Sequence, residues 1–132
     1  MLDIHERFAT DPKLEVEGVK VDLGGGASMT VARSGNDRFV SRILEEGEKF
    51  KEVLDSGTPE AKELDRTITV KIIAETILVG FEGIGFKGKP MKYSVENAIK
   101  LLGIKDFRKR VIDESNKFEN YRVKSEISEA KN

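Results

Sequence analysis

The side chains that most often do chemistry are thinly spread along this chain. Its one histidine, His5, sits near the N-terminus with no second imidazole to share a metal, whereas a metal site needs several converging ligands. Cysteine is absent, so no thiolate nucleophile, thiolate metal site or disulfide framework can be built. The acidic pairs Glu45-Glu46 and Asp113-Glu114 are sequence neighbours, which on a helix do not share a face. Glu48 and Glu52 are four apart but stand beside Lys49 and Lys51, as a solvated surface does. Ser34, Ser56, Ser94 and Ser115 lack a nucleophile-elbow setting, and a triad would have to draw His5 in from the chain end. The expectation is a protein that is not an enzyme and uses no cofactor and no metal.

Two further patterns invite a ligand. Gly24-Gly25-Gly26 could begin a phosphate loop, but a Gly-Lys-Ser/Thr ending at a helix start is missing and the glycines run into Ala27-Ser28-Met29. They read as a tight turn. Lys105, Arg108, Lys109 and Arg110 could meet a nucleic acid, but Asp106, Asp113 and Glu114 interrupt them, as on a solvated helix face. The net charge of -1 also lacks the basic excess that phosphate binding needs. No nucleic-acid partner is expected.

Length and composition narrow the class. A chain of 132 residues makes one domain with a modest core. Charged residues at 36% nearly equal hydrophobic ones at 38%, which suits a small, well-solvated, mostly helical domain rather than an enzyme with a deep apolar pocket. Residues 1–66 carry 10 Lys and Arg against 15 Asp and Glu, and residues 67–132 carry 13 against 9. That asymmetry permits self-association or a charged partner. No apolar run has signal-peptide or membrane-span length, so a soluble, unexported protein with no membrane contact is expected.

The positioning elements follow from periodicity and punctuation. Residues 1–15 read as a flexible arm closed by Asp11-Pro12. Val19, Val21 and Leu23 alternate with polar residues before the glycines, and Met29 and Val31 after them, which predicts a β-hairpin over 16–33. Asn36 or Ser34 caps a helix from Asp37, with an apolar stripe of Phe39, Val40, Ile43, Leu44, Phe50, Val53 and Leu54. Gly47 is where that helix would bend. Thr58-Pro59-Glu60 starts a central helix running to about Val79. Residues 82–92, with three glycines and a proline, read as a loop. Ser94 caps a short helix, Gly103 breaks it, and the last helix runs from Ile104 to about Tyr121. A polar tail covers 122–132. The predicted fold is mainly α, an N-terminal β-hairpin followed by a bundle of about four helices, with a single domain over 16–121.

Phe81, Ile84, Phe86 and Tyr93 cluster in or beside the 82–92 loop. Such residues plug a core or present a recognition surface. With Phe107, Phe118 and Tyr121 on the last helix they form the candidate partner-binding set.

The same stretch carries a resemblance. Val79-Gly80-Phe81-Glu82-Gly83-Ile84, a Gly-Lys-Pro loop, Tyr93-Ser94-Val95-Glu96-Asn97-Ala98 and Leu101-Leu102 lead to a last helix with Phe107-Arg108 near its start and Asn116, Phe118 and Asn120 near its end. With the Val19 to Gly25 hairpin and Ala32-Arg33 to Phe39 upstream, this order resembles the tail assembly chaperones of long-tailed, siphovirus-type bacteriophages over about residues 16–121. Phe81 stands where that family's pattern has Trp. The resemblance implies a non-catalytic assembly factor in the host cytoplasm, absent from the mature virion. It would hold the tape measure protein and help recruit tail tube subunits, through a longer product of programmed frameshifting. A structural head–tail connector or tail completion protein is the alternative.

Overall fold

The computed structural model describes residues 1–123; the greater part of the expected polar tail, from residue 124 onward, lies outside the described residues. The first turn of the chain is already ordered. Helix α1 (Ile4–Phe8) and helix α2 (Pro12–Glu17) are short, capped by Asp3 and Asp11, and pinned to the far end of the chain. The Asp11 amide donates to the Tyr121 carbonyl at 2.8 Å and the Val123 amide to the Ala9 carbonyl at 3.2 Å. Phe8 stacks at a tilt on Phe118, ring centres 6.1 Å apart. Residues 1–15, expected as a loose arm, are therefore tied down.

Strands β1 (Val19–Gly24) and β2 (Ala27–Val31) form the expected hairpin. Gly25 and Gly26 both take positive φ, +61° and +80°, which the tight turn favoured by right-twisted strands demands. Helix α3 (Asp37–Lys49) follows and continues into the single turn of α4 (Lys51–Leu54). The break falls at Phe50, not Gly47, which stays helical. Helix α5 (Pro59–Thr76) starts with Thr58 accepting from the Ala61 amide at 3.1 Å and Pro59 in its first turn.

Here the predicted architecture needs correction. The chain is not a hairpin followed by a four-helix bundle: among the described residues there are seven α-helices and five strands. Helix α5 ends at Thr76, and Leu78–Glu82 becomes strand β3, antiparallel to β2, giving a three-stranded sheet ordered β1-β2-β3. A short apolar run such as Ile77-Leu78-Val79 has no period that separates helix from strand. The free edge of β2 decides it, pairing Met29 with Phe81 and Val31 with Leu78.

Residues 82–92 are not a plain loop either. Strands β4 (Ile84–Phe86) and β5 (Lys89–Met91) form a second hairpin about Lys87-Gly88, both with positive φ. Pro90 is tolerated because this ribbon has only two strands and each is an edge. Helix α6 (Val95–Leu102) is capped by Ser94, helix α7 (Lys105–Ser115) follows the Gly103 break, and a 3-10 turn spans Phe118–Tyr121.

The core lies between the sheet and helices α5, α6 and α7. Met29 and Val31 from the sheet meet Ile73, Ala74 and Ile77 of the central segment, Leu78 and Phe81 of β3, and Ala98, Leu101, Leu102 and Val111 from the last two helices.

Candidate functional site

Helix α3 divides its side chains between two faces. Phe39, Arg42, Glu46 and Phe50 follow a helical spacing and turn toward the molecule, with Glu46 buried and the other three half-buried. Val40, Ile43, Leu44 and Gly47, spaced i, i+3, i+4 and i+7, form a second stripe. That stripe is solvent-facing: Val40 is 44% exposed, Ile43 37% and Leu44 68%, and Val53 on α4 adds another 43%. Asp37, Ser41 and Glu48, all exposed, border it on one flank.

Polar anchors fix this orientation. Arg42 reaches Glu45 at 3.1 Å and Glu46 at 3.0 Å on its own helix, and Glu75 of α5 at 3.2 Å. The hydrogen bond to Glu75, then that to Glu46, raises the already high Arg42 pKa further, so the guanidinium stays charged. Asn36, 3% exposed, caps α3 by accepting from the Arg38 and Phe39 amides, and its Nδ2 donates to the carbonyls of Arg33 and Thr76. One residue thus starts the helix and ties it to the end of α5. Between α3 and α5, an open cleft of about 310 Å³ is lined by Asp37, Arg38, Ser41, Arg42, Glu75 and Thr76. The anchors turn the apolar stripe outward, where it can meet the side of another helix or sheet.

The seven aromatic and apolar residues singled out from the sequence fall into two places. Phe81 is buried and meets Tyr93 edge-on, ring centres 5.2 Å apart at 82°. The Tyr93 hydroxyl donates to the Leu78 carbonyl at 3.1 Å, and desolvation raises its pKa. Ile84, Phe86 and Phe107 pack half-buried around the same core. At the other end, Phe118 lies against Phe8, while Tyr121 is fully buried and donates to the Val31 carbonyl at 2.9 Å. The rings of Phe81 and Tyr121 are therefore occupied by the fold itself. Val40, Ile43 and Leu44, by contrast, were visible in the sequence only as part of one broad stripe. The signal that separates them is its width: Phe39 and Leu44 are too far apart around a helix to face one core.

The acidic pairs part as helical geometry requires. Glu46 and Glu114 are buried while Glu45 and Asp113 are exposed. Glu114 is paired with Lys117, with Arg110 at 3.9 Å, which spares it the cost of an unpaired buried charge. No group of three or more potential metal-ligating His, Cys, Asp or Glu side chains occurs among the described residues, and none of their helices is long and apolar enough to cross a membrane.

Residues 31–132 match the family described as YdaY prophage protein, a range that begins at the last residue of β2. The chain belongs to that family. It is a phage-derived protein. Compared with curated proteins and with solved structures, the chain has no match.

Proposed function

We propose that this prophage protein is a non-catalytic assembly factor, a tail assembly chaperone that binds the tape measure protein in the host cytoplasm and helps recruit tail tube subunits. The observation that carries the reading is the outward stripe of Val40, Ile43 and Leu44 on a helix whose orientation is fixed by Asn36 and Arg42. A rigidly mounted apolar strip with a polar border suits an amphipathic helix laid along it. Its partner would be a long helical protein that aggregates when its apolar faces stay bare. Prophage family membership supports a phage role in general, and the resemblance of residues 16–121 to tail assembly chaperones supports the finer reading.

The test is co-expression with the tape measure protein of the same prophage, reading how much of it stays soluble and co-purifies. Leu44→Lys and Ile43→Lys should each cut the recovered complex about tenfold or more, as the loss of a central apolar anchor does. The thermal midpoint of Leu44→Lys should stay near wild type, because that side chain is already 68% exposed. Equal recovery with both variants would sink the assignment of this face. Failure of the wild-type chain to hold the tape measure protein would sink the chaperone reading itself.

A further inference from the structure

Strand β1 is the open edge of the three-stranded sheet. It pairs with β2 on one side and with no strand on the other among the described residues. The opposite edge, β3, is engaged differently, since its Leu78 carbonyl already accepts from Tyr93. An open edge presents a row of amides and carbonyls that a second strand can complete. Proteins usually guard such edges with charge, and Lys20 and Asp22 are the exposed charges here.

Their placement does something other than guard. They stand one residue either side of Val21. We infer that β1 pairs with β1 of a second copy of this chain, antiparallel, about a two-fold axis through Val21. In that register Lys20 lies opposite the partner's Asp22, Asp22 opposite the partner's Lys20, and Val19 opposite the partner's Leu23. Val21 meets its own counterpart. The interface is isologous, as closed two-fold dimers are. Shifting the axis to residue 20 or 22 sets lysine against lysine or aspartate against aspartate, so charge selects one register.

Three features leave room for it. Neither Lys20 nor Asp22 is committed to an ion pair among the described residues, and Asp22 uses only its Oδ1, accepting the Gly24 amide at 2.8 Å. Val21 and Leu23 already lean on the core, so the joined sheet keeps its apolar residues on one face and its charged ones on the other. In that register Gly24 and Gly25 pass beside the partner's Gly18 and the partner's Glu17, and no heavy atom of their own chain lies within 4 Å of where a Cβ would stand at either. The surface is separate from the α3 stripe and does not depend on the chaperone reading. The paired stretch, Val19–Leu23, is five residues a side, small for a protein interface, so weak association is expected, with a dissociation constant of about 10–100 µM.

Sedimentation equilibrium of the full chain across that range tests it. The wild-type chain should be a monomer–dimer mixture. Lys20→Asp alone sets acid against acid at both pairs, and Asp22→Lys alone sets base against base; each should weaken dimerisation about tenfold or more. An equimolar mixture of the two single variants should recover the dimer, because every opposed pair is then complementary. The double variant K20D/D22K should dimerise like wild type. Circular dichroism of each variant separates lost pairing from lost folding, and if D22K unfolds, the comparison of K20D with wild type carries the test. A monomer up to ~1 mM, or a dimer indifferent to K20D, overturns the proposal.

Discussion

Tyr121 shows how one side chain near a chain end can close a fold. Its ring is fully buried and its hydroxyl donates to the Val31 carbonyl in the middle strand, while its own carbonyl accepts the Asp11 amide. Replacing it by Phe keeps the ring and strands a buried carbonyl, so Tyr121→Phe should cost about 1–3 kcal/mol in urea unfolding. The same group gives the protein an alkaline limit. Burial first, and the Glu114 charge second, push the hydroxyl up to about 12 from an ordinary 10.0. Because the folded value is raised, its stabilisation is complete below pH 10 and is lost as pH rises toward 12. Stability measured between those values should fall less steeply in Tyr121→Phe than in wild type. At this scale the sequence was partly legible. Tyr121 stood out as an aromatic, but its periodicity could not say whether the ring would face a partner or the chain's own interior.

At the scale of elements, local signals placed most helix starts and misplaced two boundaries. Asn36, Thr58-Pro59 and Ser94 each cap where their hydrogen-bonding side chains suggest. Leu78 and Val79, the first residues of β3, read as the end of the central helix because Ile68 to Phe81 is apolar on more than one side, and only pairing with β2 makes them extended. Glycines likewise mean different things by context. Gly47 is helical, and no heavy atom lies within 4 Å of where a Cβ would stand. Gly47→Ala should therefore raise stability by about 1 kcal/mol. Gly83 has φ +68°, and a Cβ there would meet the Gly26 carbonyl oxygen at 2.5 Å, where the two hairpins touch. Gly83→Ala should lower the thermal midpoint by several degrees, roughly 2–3 kcal/mol of strain. If the two variants melt alike, the contact between the hairpins is not as described.

At the scale of the molecule, the chain closes on itself: the N-terminal helices bond to residues 121–123, and the middle strand β2 lies between β1 and β3. Native-state hydrogen exchange should reflect this. The amides of β2 and of residues 72–78 should be the slowest, since opening them breaks the core. The amides of Asp11 and Val123 should also exchange well below their intrinsic rates. Those of α4, a single turn whose Lys51, Glu52 and Val53 are exposed, should be among the fastest. Full-rate exchange at Asp11 and Val123 would show the N-terminal segment to be the loose arm that its composition suggests. The prophage assignment also belongs here, because the family match runs across 31–132 rather than resting on any one site.

The sequence by itself determined the first hairpin, the helix caps, the break at Gly103 and the lack of any cysteine chemistry. Each of these rests on residues close together in the chain, where backbone preference and capping act without help from elsewhere. Tertiary structure alone decided that Leu78–Glu82 is a strand, that Phe81 and Tyr121 are interior, and that Val40, Ile43 and Leu44 face water. Those outcomes depend on partners distant in sequence: Met29 for Phe81, Val31 for Tyr121, and Glu75 and Thr76 for the orientation of α3. A hydrophobic side chain carries no mark of which surface will bury it. Only the packing of the whole chain leaves one apolar stripe covered and another open.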